Sequence, residues 1–141
     1  MSRDYIAAAL RRLVFQRSKG YCEYCRSPGR FALGSMEIEH TMPLSRGGRT
    51  VGKNLALACR GCNQNKGSQI EGIDSVSLES VQLYNPREMG WDDHFAWGQG
   101  TLLVVGKTPT GRATVAVLRL NREGVVNLRR LMIHSGEHPP D

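Results

Sequence analysis

Four cysteines occur in the chain, as two pairs: Cys22-Glu-Tyr-Cys25 and Cys59-Arg-Gly-Cys62. Two Cys-x-x-Cys turns supply four soft donors that can converge on one tetrahedral ion, so the spacing predicts a zinc site. With thiolate in every position the zinc keeps no place for water, and its expected role is structural. One such pair would suit a redox dithiol equally well; two favour metal. The long segment between the pairs carries Glu39-His40. A carboxylate beside an imidazole can hold a metal and take up a proton. A histidine alone is more often structural, and this pair gains weight from the polar residues downstream of it. Asn54 comes after a stretch rich in Gly and Arg, Asn63 directly follows the last cysteine, and Lys66-Gly67 come next.

These residues need elements to position them. Residues 2–18 are predicted to form an amphipathic helix capped by Ser2, with Ile6, Ala9, Leu10, Leu13 and Val14 at helical spacing and Arg11, Arg12 and Arg17 outward. Gly20 ends it and leads into the first cysteine turn. Phe31 to Ile38 is expected to be a short strand or hairpin, Thr41 to Asn54 a loop, and Leu55 to Ala58 a second short strand. A helix is expected from Cys62 to about Gln69, with Asn63 near its cap.

Composition and charge bound the function. A chain of 141 residues that is 40% apolar and 6% aromatic is one domain, or one domain with an appendage. A metal staple suits so small a core. No basic stretch followed by an apolar run opens the chain, so no secretory signal is expected, and no apolar run nears the ~20 residues of a membrane span. A cytoplasmic location is therefore the expectation, where thiols stay reduced and cysteine pairs hold metal. Residues 1–70 carry 12 Lys and Arg against 4 Asp and Glu, a net of +8; residues 71–141 carry 7 against 9, a net of −2. Zinc with four thiolates would add −2 to the first half, which still leaves it basic. One-sided positive charge on the metal-bearing half fits a polyanionic partner better than a merely solubilising surface.

The ordered set from about Arg11 to Gly67 resembles an HNH endonuclease of the branch with a four-cysteine structural zinc. It is carried by Gly20-Tyr21-Cys22-x-x-Cys25, by Glu39-His40-Thr41-Met42-Pro43-Leu44-Ser45-Arg46-Gly47-Gly48, by Asn54-Leu55, and by Cys59-x-x-Cys62-Asn63-x-x-Lys66-Gly67. The resemblance implies an α+β fold: a zinc-stabilised ββα-metal unit over 1–70, preceded by the N-terminal helix and followed by a mixed α/β extension over 71–141. It implies His40 as general base, Glu39 as ligand of a catalytic ion, Asn54 as the residue that holds the loop and orients the histidine, and Asn63 as a second ligand, where the motif's name would have His. Oxygen donors at Glu39 and Asn63 suit Mg(II) or Mn(II). The implied reaction is hydrolysis of DNA phosphodiester bonds, leaving 5′-phosphate and 3′-hydroxyl ends. A neutral imidazole, with an ordinary pKa of about 6.5, suits the proton transfer. Arg46, Arg49, Lys53, Arg60 and Lys66 surround the motif and could contact phosphates. No small-molecule cofactor and no membrane partner are expected. The alternative is a non-catalytic zinc module that binds nucleic acid, which needs only the cysteines and the charge.

The second half carries fewer signals. Residues 71–90 read as a connector with turns at Asn85-Pro86 and Met89-Gly90. Trp91, Phe95 and Trp97 are expected to pack against the first half, and Asp92, Asp93 and His94 are not read as a second metal centre. Thr101 to Val105 reads as a strand and Thr108 to Gly111 as a turn or helix start; in Arg112 to Leu120, Val115 and Val117 alternate like a strand while Ala113, Ala116, Val117 and Leu120 fit a helix, the reading favoured here. Asn121 is expected to cap a further helix to His134, and the Pro139-Pro140 tail to fray. Arg119, Arg122, Arg129 and Arg130 fit either DNA contact or solvated helix faces. This half resembles an extension found on many bacterial HNH proteins.

Overall fold

In the computed structural model, which describes residues 5–32 and 34–140, the elements follow the order α1 (Ala8–Ser18), β1 (Glu37–His40), β2 (Leu55–Ala58), α2 (Arg60–Lys66), β3 (Glu71–Ile73), β4 (Ser80–Gln82), α3 (Trp91–His94), β5 (Phe95–Gly98), β6 (Leu103–Gly106), α4 (Pro109–Leu118) and α5 (Glu123–His134). The strands form three separate antiparallel pairs, β1 with β2, β3 with β4 and β5 with β6. The fold is α+β, and β1, β2 and α2 make the ββα unit.

Strand β2 is the most deeply set element, with all four residues fully buried. Its alternation divides two packing faces. Leu55 and Leu57 join Ile6 and Val14 in a small cluster under α1. Ala58, on the opposite face, belongs to the larger core, and α2 packs against both β1 and β2. The pairing runs from Glu37 opposite Ala58 to His40 opposite Leu55. Strand β1 therefore starts later than the expected Phe31–Ile38, because its partner ends at Ala58, where Cys59 becomes the N-cap of α2. Upstream, Gly29–Phe31 is a 3-10 turn instead.

Two helix starts also differ from expectation. Helix α1 begins at Ala8, since Ala7 is extended at ψ 147° and the Arg11 side chain donates through Nε to the Ile6 carbonyl at 3.2 Å, taking an acceptor that a longer helix would use. Ser2, the expected cap, lies outside the described residues. Helix α2 starts at Arg60, so Asn63 sits inside it rather than at its cap. It ends at Gly67, whose φ of 54° with ψ of −133° is a conformation only glycine adopts readily.

One large core draws on both halves of the chain. Cys22, Tyr24, Cys25, Ala58, Cys59 and Cys62 pack with Leu83, Tyr84, Trp91, Phe95, Val104, Ala113, Leu118, Leu120 and Val125. Trp91 Nε1 donates to the Tyr24 carbonyl at 2.9 Å, and Trp97 packs at the edge of the cluster. Trp91 and Phe95 thus share a core with Tyr24 and the cysteines of the first half. Arg129, only 1% exposed, donates to the carbonyls of Leu102, Leu120 and Cys25 and to Asn121 Oδ1. It is an internal tie, not a solvated or DNA-facing residue.

The connector 71–90 contains the β3–β4 hairpin, which sequence alternation did not reveal because only the central residue of each strand is half-buried. Its turn is organised by Asp74, which accepts from Val76 N and Ser77 N and binds Arg112 of α4 at 2.7 and 3.2 Å. The Arg112 guanidinium holds the Asp74 carboxyl well below the usual carboxylate range. Helix α4 is capped by the Thr108 hydroxyl, which accepts from Gly111 N at 3.0 Å. Asn121 does not cap α5. Its amide pairs with both backbone groups of Val104 at 2.8 and 2.9 Å, as a strand residue would. The tail is docked rather than frayed: His138 is buried, its Nε2 lies 2.8 Å from the Thr101 carbonyl, and its ring meets Trp97 edge-on at 4.5 Å.

Candidate active site

The cysteine pairs come from two turns. Cys22 and Cys25 follow α1, while Cys59 caps α2 and Cys62 lies in its first turn. All four are buried, and their sulfurs lie within 4.8 Å of one another. Donors 2.3 Å from a common tetrahedral centre lie about 3.8 Å apart, and the Cys25–Cys59 sulfur pair is at 3.7 Å. The donor chemistry and this spacing fit a closed tetrathiolate zinc site. Among the described residues no other group of three His, Cys, Asp or Glu side chains is arranged to hold an ion.

Each sulfur also has a polar neighbour, and those of Cys22, Cys59 and Cys62 face N–H donors. Cys25 N approaches Cys22 Sγ at 3.5 Å, and the Ser27 hydroxyl lies 3.2 Å from Cys25 Sγ. Arg122 points Nη2 at Cys59 Sγ (3.3 Å) and Nη1 at Cys62 Sγ (3.6 Å).

His40 closes β1. Its Nε2 lies 2.9 Å from the Thr50 hydroxyl, a contact whose donor depends on the tautomer. The loop from Thr41 to Asn54, next in the chain, contains the 3-10 turns Leu44–Arg46 and Gly52–Asn54. Asn54 clasps this loop with both ends of its amide. Oδ1 accepts from the Thr41 hydroxyl (2.7 Å) and Met42 N (2.8 Å), and Nδ2 donates to the carbonyls of Met42 (3.0 Å) and Arg49 (2.9 Å). Gly48 lets the chain pass this close, since a Cβ there would sit 1.7 Å from the Met42 carbonyl oxygen.

Glu39 points to the other face of β1, toward α2, and is 5% exposed. It accepts from the Tyr24 hydroxyl and pairs with Lys66 Nζ at 3.2 Å. Burial raises its carboxyl above the ordinary range, against the pull of Lys66 and Tyr24. Burial and the Glu39 charge push the Tyr24 phenol well up. Asn63 does not meet Glu39 directly: its Nδ2 donates to Glu37 Oε1 at 2.6 Å. Glu37 and Glu39 are two apart on one strand and share a face, which is the signal that could have singled out Glu37. Tyr24 and Thr50 had no comparable signal in the sequence.

The basic residues divide. Arg46, Arg49, Lys53 and Arg60 are exposed around the loop and the start of α2, and Arg46 Nε is also bonded to the Ser68 carbonyl at 2.7 Å. Lys66 is not among them. It is 2% exposed, tied to Glu39 and to the Thr41 carbonyl, because the helical turn that carries it faces β1. The expectation that it reaches a phosphate is corrected.

No curated protein matches the chain. The model of the HNH endonuclease family matches residues 22–69, the stretch that runs from the first zinc-type cysteine through β1, the clasped loop, β2 and α2. With its two cysteine pairs clustered, this segment is similar to the HNH endonuclease family and consistent with that family's zinc-bearing branch.

Proposed function

We propose that the protein is a metal-dependent endonuclease that hydrolyses DNA phosphodiester bonds, with His40 as general base. The observation that carries this reading is the Asn54 clasp. It fixes the loop directly after His40 by four hydrogen bonds, so the imidazole stands at the end of a rigid strand beside a rigid loop. Such positioning is what a base needs to meet an attacking water in line with a phosphorus.

His40 takes a proton from that water as its oxygen attacks. The phosphorus–O3′ bond breaks, the 5′ phosphate stays with one strand end, and the 3′ oxygen leaves as a hydroxyl by taking a proton from solvent water. Thr50 orients the imidazole through its hydroxyl. The oxygen donors on the α2-facing side, Asn63 and Glu39 with its strand neighbour Glu37, fit a hard ion such as Mg(II) or Mn(II) and are the residues that would hold it. When bound, that ion supplies charge neutralisation on the phosphate and the leaving oxygen. Lys66, already paired with Glu39, would compete with such an ion for the carboxylate. Arg46, Arg49, Lys53 and Arg60 hold the DNA backbone. The cysteine quartet would hold a structural zinc, which would tie α2 to the turn after α1.

One observation favours a second reading, a zinc module that binds nucleic acid without cutting it: Glu39 is buried and already paired with Lys66 and Tyr24. Supercoiled plasmid with Mg(II) or Mn(II) separates the two. Nicked or linear product from the parent, lost in His40→Ala, supports the nuclease. Salt-dependent binding without cleavage in any metal supports the binder, and equal cleavage by His40→Ala removes the assigned base.

A further inference from the structure

We propose that Arg122 is an outer-sphere partner of the zinc cluster and slows loss of the metal, which gives the second half of the chain a defined role at the site of the first. The inference rests on reading the quartet as a zinc site.

Three observations converge. First, the guanidinium spans two ligands of the same pair, with Nη2 at 3.3 Å from Cys59 Sγ and Nη1 at 3.6 Å from Cys62 Sγ. The Cys22 and Cys25 sulfurs meet only neutral groups of their own turn, the Cys25 N–H and the Ser27 hydroxyl, whereas the second pair is served by a cation more than fifty positions away in sequence. A zinc with four thiolates carries a net charge of −2, and a cation at hydrogen-bond range offsets part of it.

Second, the fork is aimed from behind. Nη1 also donates to the carbonyls of Leu118 (3.3 Å) and Arg119 (3.1 Å), at the carboxyl end of α4. The helix end therefore holds the guanidinium in register with the sulfurs, as a planar fork with several donors allows and a lysine does not.

Third, the approach needs Gly61. A Cβ at that position would lie 2.6 Å from Arg122 Nη2 and 3.0 Å from both Cζ and Nε. The glycine inside Cys59-Arg-Gly-Cys62 leaves room for the guanidinium over the pair.

The test uses the full chain. Zinc content is measured first, then the rate of zinc transfer to an excess of a chromophoric chelator well below the unfolding temperature, for the parent, Arg122→Gln, Arg122→Lys and Gly61→Ala. Thermal unfolding is followed in parallel. Outer-sphere partners of metal ligands change metal affinity by about 10–100-fold, so release about tenfold faster is expected from Arg122→Gln and Gly61→Ala. An intermediate rate is expected from Arg122→Lys, which keeps one charge without the fork. If Arg122→Gln fails to fold, Gly61→Ala and Arg122→Lys decide. If Arg122 only caps α4, the variants lower the unfolding temperature and leave release within about twofold of the parent, a margin well below the outer-sphere effect. That result overturns the proposal while the zinc reading stands. A folded parent without zinc overturns both.

Discussion

Replacing Lys66 with Met tests whether the buried pair beneath the site holds the fold. Lys66 Nζ lies 3.2 Å from Glu39 Oε2, and the two side chains are 3% and 4% exposed. The change removes the ammonium and leaves the carboxylate buried with the Tyr24 hydroxyl. Breaking a buried pair by deleting one partner costs about 3–5 kcal/mol. An independent bound agrees. The stranded carboxylate can remain buried by taking up a proton, and for an ordinary glutamate with a pKa of about 4.3 that costs about 3.7 kcal/mol at pH 7. In the variant, burial raises Glu39 without the opposing pull of Lys66, so the folded state binds a proton that the unfolded chain releases. Its deficit therefore grows as pH rises above about 4.3 and shrinks as pH falls, to about 1 kcal/mol at pH 5 by the same bound. Urea titrations of the full, metal-saturated chain at pH 5 and pH 7, followed by tryptophan fluorescence, measure both values. A lysine that merely contacted phosphate would behave differently. Its loss would leave stability within about 0.5 kcal/mol, lower DNA affinity and reduce the salt slope by about one. Unchanged stability at pH 7 together with weakened DNA binding would refute the assignment.

The loop and the shared core give two further expected outcomes. Gly48→Ala puts a methyl 1.7 Å from the Met42 carbonyl oxygen and 3.0 Å from Asn54 Nδ2, so the clasped loop must shift. A displacement of about 1 Å at a reacting centre can cost about a hundredfold in rate, and plasmid cleavage should fall by that order while zinc content is unchanged; full cleavage would remove the loop from the site. A chain truncated after Ile70 loses Leu83, Trp91, Phe95, Val104 and Leu118 from the core that buries Tyr24 and the cysteines. It should show no cooperative unfolding in circular dichroism even with zinc added, and a sharp transition would mean that the first half folds alone.

What the sequence determined by itself is local or motif-bound. The four cysteines were legible because metal ligation demands a narrow spacing, and they do converge. Strand β2 was legible as a short apolar run bounded by Asn54 and Cys59, and α4 and most of α5 by their helical spacing. Asn54 was marked by its place in the motif, and its side chain does bind the loop. The β3–β4 hairpin was not legible, because its turn depends on a carboxylate whose partner, Arg112, lies 38 positions away.

Tertiary structure alone decided the partners of the charged and polar groups. Lys66 was read as a phosphate contact and Glu39 as a metal ligand, yet the packing of α2 on β1 buries them against each other. Arg122 and Arg129 looked like helix-face cations; one meets the cysteine sulfurs and the other the carbonyls of Cys25, Leu102 and Leu120. Asn121 looked like a cap and instead pairs with β6. The reason is common to all of them. Backbone propensity and metal spacing are written in neighbouring residues, whereas the environment of a long polar side chain is set by which distant segment folds over it.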